Sequence, residues 1–158
     1  MIYDICIIGG GQSGLVTCKT FSEKTNNIII LEKCNNCLGM FSSIKEKDYF
    51  KWSSSRYMSG FSDFPIPKSV PVWFTIQDYL NYLESYKKHF DLEKYIQYNS
   101  NVKNCYQNEN EEWLVEYNNT KLTCKKLIIC AGLNQTPKFP SIVEKFRGGL
   151  YTHNKCII

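Results

Sequence analysis

The chain opens on a mostly apolar, largely β-branched run, Ile2 to Ile8, broken only by Asp4 and halted by Gly9-Gly10-Gly11. That pattern predicts a buried strand. The next segment, Gln12 to about Lys24, predicts a helix, and Ile28 to Leu31 predicts a second buried strand. Together they have the size of a strand–helix–strand unit, about 30 residues. Residues 33–74 show no period and carry Gly39, Gly60, Pro65, Pro67 and Pro71. A loop region this long in a compact domain is usually functional. Thr75-x-x-Asp78 then has the form of a capping box and predicts a helix that ends near Phe90. Tyr79, Leu80, Tyr82, Leu83 and Tyr86 form its apolar face. From Ile96 the period changes to two. Val102–Gln107, Trp113–Tyr117 and Leu122–Lys125 predict three short antiparallel strands, with turns at Asn108–Glu111 and Asn118-Asn119. Leu127 to Ala131 predicts another fully buried strand, closed by Gly132, and the tail from Leu133 predicts mostly loop.

The chain has 158 residues, of which 43% are apolar and 22% charged, a composition for one globular domain with a real core. It is too short for a two-domain dinucleotide enzyme. No apolar run approaches the roughly 20 residues of a membrane span. Asp4 and Gly9 interrupt the first apolar stretch and no basic segment precedes it, so a cytoplasmic protein without a signal peptide is expected. The net charge of +4 comes from scattered lysines and indicates a solvated surface, not a nucleic-acid face. Among the eight cysteines only Cys34-Asn-Asn-Cys37 has ligand-like spacing. No second pair stands near enough in sequence for a structural zinc site, so no metal is expected and the thiols are taken as reduced and structural. Cys6 and Cys130 fall in predicted buried strands, as small hydrophobes.

One segment carries chemistry. Gly9-Gly10-Gly11-Gln12-Ser13-Gly14 fits G-x-G-x-x-G between a predicted strand and a predicted helix. Gly9 permits the tight turn, Gly11 the approach of a pyrophosphate, and Gly14 the close packing of helix on sheet. The helix N-terminus favours the phosphate anions. Glu32 ends the second strand, where a carboxylate can accept from both ribose hydroxyls of an adenosine. An acid there disfavours a 2′-phosphate and leaves FAD and NAD open. The fold class is therefore α/β, a Rossmann-like parallel sheet with a three-stranded antiparallel β-meander.

Further stretches resemble the flavin-containing monooxygenases over about residues 2–153. The start Tyr3-Asp4-x-Cys6-Ile7-Ile8-Gly9 to Leu15 resembles that family's FAD-binding start. Glu32-Lys33 with Leu38-Gly39-Met40-Phe41 resembles its Glu-Lys…Gly-Gly-x-Trp stretch. Phe61-Ser62-Asp63-Phe64-Pro65-Ile66-Pro67 is close to its Phe-x-Asp-Phe-Pro-x-Pro. Tyr79-Leu80, His89-Phe90-Asp91-Leu92 and Tyr95-Ile96-Gln97-Tyr98 resemble the following helix and strand. Ile129-Cys130-Ala131-Gly132 with Pro137 and Pro140 looks like the strand and loop beneath the flavin, and Phe146, Gly149 and His153 resemble Phe-x-Gly-x-x-x-His. The chain departs from the family in four places. Leu38 replaces a glycine, Phe41 replaces a tryptophan, Ser53 falls where the family has an asparagine, and Phe146 and Gly149 stand one residue too far apart.

The resemblance implies a glutathione-reductase-type FAD domain over 1–158, the N-terminal half of a longer fold and incomplete relative to the family. It lacks the family's second glycine fingerprint, for NADPH. The implied activity uses FAD, NADPH and O₂ to oxygenate soft nitrogen or sulfur centres of small molecules. The alternative is a truncated, non-catalytic FAD-binding module. The chemistry lies in the cofactor, so no catalytic acid, base or nucleophile is expected. The implied FAD contacts are Gly9, Gly10, Gly11, Gln12, Ser13 and Gly14 at the pyrophosphate and Glu32 at the ribose. Met40, Phe41, Ser53 and Ser54 would lie along the flavin side, and the Val102 backbone near the adenine. A second chain completing the fold is a further implication. Asp63 is read as a turn cap in a proline-rich loop, His89 as a favourable helix-dipole contact, and Trp113 and Tyr117 as sheet packing.

Overall fold

The computed structural model describes residues 2–37, 39 and 51–132, and the backbone of 152–153 and 156–157. Strand β1 (Ile2–Ile8), helix α1 (Gln12–Ser22) and strand β2 (Ile28–Leu31) form the expected unit. A short helix α2 (Arg56–Ser59) interrupts the aperiodic region, and α3 (Ile76–His89) follows. Then come a 3₁₀ turn at Glu93–Tyr95, β3 (Ile96–Gln97), β4 (Val102–Gln107), β5 (Trp113–Tyr117) and β6 (Thr120–Ile129). In the tail, read as mostly loop, β7 (Thr152–His153) and β8 (Cys156–Ile157) pair as a small antiparallel ribbon.

The main sheet has the order β3-β2-β1-β6-β5-β4. β1 is parallel to both β2 and β6, β2 is parallel to β3, and β4, β5 and β6 form the antiparallel meander. Ile5–Ile7 of β1 and all of β2 are buried on both faces, which explains their continuous apolar runs. Ile5, Ile7, Ile28 and Ile30 face α1 and α3, where Leu15, Cys18, Tyr79, Tyr82, Leu83 and Tyr86 complete one core. The alternate residues Cys6, Ile29 and Leu31 face the meander and pack with Val115, Tyr117, Leu122 and Cys124. Trp113 and Tyr117 thus pack against the sheet, as their pattern predicts.

The helix α3 follows its sequence signals closely. Thr75 caps it, accepting from Asp78 N–H while the Asp78 carboxylate accepts from Thr75 N–H at 2.8 Å. Lys87, Lys88 and His89 occupy its last turn and Phe90 is its C-cap.

The structure corrects two expectations about strands. Leu122–Lys125 and Leu127–Ala131 are not separate: β6 runs continuously from Thr120 to Ile129. Its first half pairs with β5 (Tyr117 opposite Thr120, Trp113 opposite Cys124), and from Thr123 onward it also pairs with β1. The lysine pair 125/126, which looks like a boundary, is the point where β5 leaves and β1 alone continues the ladder. For the same reason the end of β6 is not fully buried. β5 stops at the level of Cys124, and Ile129 is 66% exposed. Ile2, at the entry of β1, is also exposed, and Cys130 is only half-buried.

Candidate functional site

The end of β1 turns through Gly9 at φ +97°, a left-handed conformation that favours glycine. Gly9 N–H donates to Leu31 C=O at 2.9 Å, and Cys130 N–H donates to Ile8 C=O at 2.8 Å. The turn is therefore fixed between β2 and β6. A Cβ on Gly9 would lie 2.5 Å from the Cys130 carbonyl oxygen. A Cβ on Gly14 would strike the Gly9 carbonyl oxygen, so this glycine is what seats α1 against the strand end. A Cβ on Gly10 would strike Cys37 Sγ.

Gly11 is different. Among the described residues, a Cβ there would meet only the Gly39 backbone, at 3.4 Å from its Cα, and a Cβ on Gly39 would meet only Gly11 Cα at the same distance. Two glycine backbones thus approach each other with no described side chain between them. Gly11 is also the N-cap of α1 and offers no side-chain cap, and no acidic residue occupies the first turn. The positive end of the helix and its free N–H groups stand at exposed residues Gln12 and Ser13.

Glu32 is buried to 6% exposure directly behind this turn. Its Oε2 accepts from Gly10 N–H at 2.7 Å and its Oε1 from Cys34 N–H at 2.8 Å. Its own backbone is held by Gln97 C=O and Ser100 N–H. The Cys34 side chain is a further hydrogen-bonding neighbour of this carboxylate, which keeps acceptor capacity beyond its two backbone donors. Ser100 brings Val102, half-buried at the start of β4, to this end of the sheet. Burial pushes the Cys37 thiol up to about 12 and, with Glu32 beside it, raises Cys34 as well. Both shifts favour the neutral thiol near neutral pH. All seven described cysteines are free, and no metal-holding cluster occurs among the described residues.

The 51–75 segment is pinned to this frame from α3 and α1. Trp52 N–H donates to Phe74 C=O at 2.7 Å, and the Trp52 ring stacks on Tyr79 at 4.3 Å. Ser53 is exposed, and Ser54 Oγ is 2.7 Å from Ser59 Oγ of α2. Tyr82 of α3 accepts from Phe61 N–H at 2.7 Å and donates to Phe64 C=O at 2.6 Å. Asp63, read from sequence as a turn cap, makes an ion pair with Lys19 of α1 at 2.9 Å. The Lys19 ammonium holds the Asp63 carboxyl below its usual range. His89 packs its ring against Phe64 and Phe90 as well as standing in the last turn of α3.

Of the residues singled out in sequence, Gly9, Gly10, Gly11, Gln12, Ser13, Gly14 and Glu32 come together at one turn. Ser53 and Ser54 follow Trp52, which stacks on the tyrosine that holds Gln12. Met40 and Phe41, and the contacts of Phe146, Gly149 and the His153 side chain, lie outside the described residues. Sequence reasoning missed three participants. Cys37 fills the space beside Gly10, and Gly39 faces Gly11. Tyr79 donates its hydroxyl to Gln12 Oε1 at 2.7 Å. Gly39 and Tyr79 stand in the resembling stretches and Cys37 in the Cys34–Cys37 pair, but nothing in the sequence placed any of the three at this turn.

Comparison with known proteins agrees with this architecture. The family model described as flavin-binding monooxygenase-like matches residues 3–155, and the chain belongs to that family. It is 32% identical over 158 residues to a 4-hydroxybenzoate brominase (decarboxylating) of Marinomonas mediterranea, covering 95% of this chain and 30% of the relative. The S-allyl-L-cysteine S-oxygenase of Allium sativum has the same fold, with a TM-score of 0.79, 19% identity, and coverage of 91% of this chain and 40% of that one. So does OTEMO solved in complex with FAD and NADP, with a TM-score of 0.77, 19% identity, and coverage of 88% and 27%. The chain thus spans about a third of the length of its curated relatives. No helix among the described residues is long and apolar enough to cross a membrane.

Proposed function

We propose that residues 1–158 form a single FAD-binding domain and supply the flavin-holding part of a monooxygenase that uses NADPH and O₂. The observation that carries this reading is the uncapped N-terminus of α1 at Gly11, where among the described residues only the Gly39 backbone approaches. A dinucleotide's pyrophosphate is assigned to this terminus. It would meet the first N–H groups of α1 beside the Gln12 and Ser13 side chains, with the Glu32 carboxylate close by for the ribose. The family match and the fold shared with OTEMO, solved with FAD and NADP, favour FAD over NAD at this turn.

Bound FAD would supply the redox chemistry, accepting a hydride from NADPH and activating O₂. The protein's own residues bind, orient and exclude water. Gly9 and Gly14 set the turn, Gln12 and Ser13 present the first N–H groups of α1, and Glu32 holds the ribose. Met40, Phe41, Ser53 and Ser54 are assigned to the flavin side, and the Val102 backbone to the adenine. The nicotinamide site is assigned to residues outside these 158, in the same chain or a second one.

Soft nitrogen or sulfur centres of small molecules are the proposed substrates. The shared fold with an S-oxygenase supports this class, and the brominase relative marks the breadth of the family. A second reading, an FAD-binding module without turnover of its own, is favoured by the single G-x-G-x-x-G within these residues. Adding NADPH under air to the FAD-loaded protein separates the two. NADPH consumption with conversion of a tertiary amine or thioether to its oxide supports the monooxygenase. Bound flavin that NADPH leaves oxidised supports the module.

A further inference from the structure

The Tyr79 hydroxyl belongs to a helix that sequence assigns to the core, yet it reaches a residue 67 positions away at the glycine turn. The ring is buried and stacked on Trp52 and Phe74. Burial pushes the phenol up to about 12, so at neutral pH it is protonated and donates. Its acceptor is Gln12 Oε1 at 2.7 Å, on the exposed first residue of α1. A primary amide held by its oxygen keeps both N–H donors. None of the described residues accepts from Gln12 Nε2. In this arrangement two neutral donors stand beside the uncapped first turn of α1. The opposite amide orientation would offer an oxygen to an anion at the same place.

We propose that Tyr79 is a positioning residue for the pyrophosphate. It holds the Gln12 amide with its oxygen inward, so that the NH₂ group donates to a phosphate oxygen alongside the helix N–H groups. This rests on the FAD reading above. The ring and the hydroxyl have separable roles. The ring packs Trp52, and with it the segment leading to Ser53 and Ser54, while the hydroxyl orients Gln12. The residue links the two ends of the cofactor site.

The test is titration of the folded protein with FAD, followed by quenching of flavin fluorescence. The variants are Tyr79→Phe, Gln12→Met and the two combined. Tyr79→Phe keeps the stacked ring and removes only the donor. Each single variant is expected to raise the Kd for FAD about tenfold, the usual worth of a hydrogen bond to a charged group. The double variant is expected to lose no more than either single one, because both break the same chain of contacts. Gln12→Glu keeps an acceptor for the tyrosine but turns a second oxygen toward the phosphate, so it is expected to lose more than Gln12→Met. The same losses should appear with ADP and be absent with adenosine, which a merely structural role would not produce. If Tyr79→Phe fails to fold, Gln12→Met and Gln12→Glu, both at an exposed position, decide alone. Wild-type affinity in the single variants, additive losses in the double variant, or equal losses for adenosine overturn the inference while the FAD reading stands. A folded wild-type protein that binds no FAD overturns both.

Discussion

Replacing Glu32 by glutamine separates what this carboxylate does for the fold from what it does for a ligand. The side chain is 6% exposed, and its two oxygens accept from Gly10 N–H at 2.7 Å and Cys34 N–H at 2.8 Å. Glutamine has nearly the same shape but one oxygen. Whichever way it turns, one backbone N–H faces an NH₂ group, and the other loses its charged acceptor. A charge-assisted hydrogen bond contributes about 1.5–3 kcal/mol, and the neutral replacement is weaker by about 1. The expected loss is therefore about 2–4 kcal/mol, before any cofactor is added. For a domain of this size that lowers the melting temperature by roughly 4–16 °C. The assay is thermal unfolding of the cofactor-free protein, followed by circular dichroism, repeated at saturating FAD. A second loss should appear with FAD, because weaker ribose contacts reduce the stabilisation that binding adds. A cofactor-free Glu32→Gln variant that melts within about 1 °C of the wild type would refute the structural half of the reasoning.

Other expectations follow from the same contacts. Gly14→Ala drives a Cβ into the Gly9 carbonyl oxygen and is expected to cost at least about 3 kcal/mol, read as a lower urea midpoint. Tyr86 is fully buried, and its hydroxyl has no partner among the described residues. Tyr86→Phe is therefore expected to raise stability by about 1 kcal/mol in the same measurement. Asp63, held by Lys19 below its ordinary value of 3.8, contributes stability that is complete above that value and lost as pH falls through its lower folded value. Melts across pH should show wild type above Asp63→Asn at pH 6, with the two curves meeting in strong acid.

The elements that position the glycine turn were legible because local pattern and tertiary role agree. Ile5–Ile7 and Ile28–Leu31 are buried on both faces, so their continuous apolar runs are what a central parallel strand requires. Thr75 and Asp78 mark the start of α3 through a contact three residues long. The junction in β6 was not legible. Lys125 and Lys126 look like the end of a strand, and only the shift of partner from β5 to β1 explains why the strand continues. The 51–75 segment has no period because its shape is imposed from outside, by Tyr82, Lys19 and the Trp52–Tyr79 stack. The same holds for the candidate site. Gly9 to Gly14 and Glu32 announce themselves by spacing. Cys37 behind Gly10 and Tyr79 on Gln12 are long-range contacts of residues whose own neighbourhoods read as plain core.

The most direct test of the central claim is flavin retention by the purified, FAD-loaded protein after gel filtration, wild type beside Gly11→Val. A Cβ at Gly11 meets only the Gly39 backbone among the described residues, and the branched side chain would occupy the approach to the helix N-terminus. The account predicts a wild-type fraction with flavin absorbance at about one FAD per chain and a folded variant that elutes colourless. Flavin retained equally by both would contradict the assignment of the pyrophosphate to this turn.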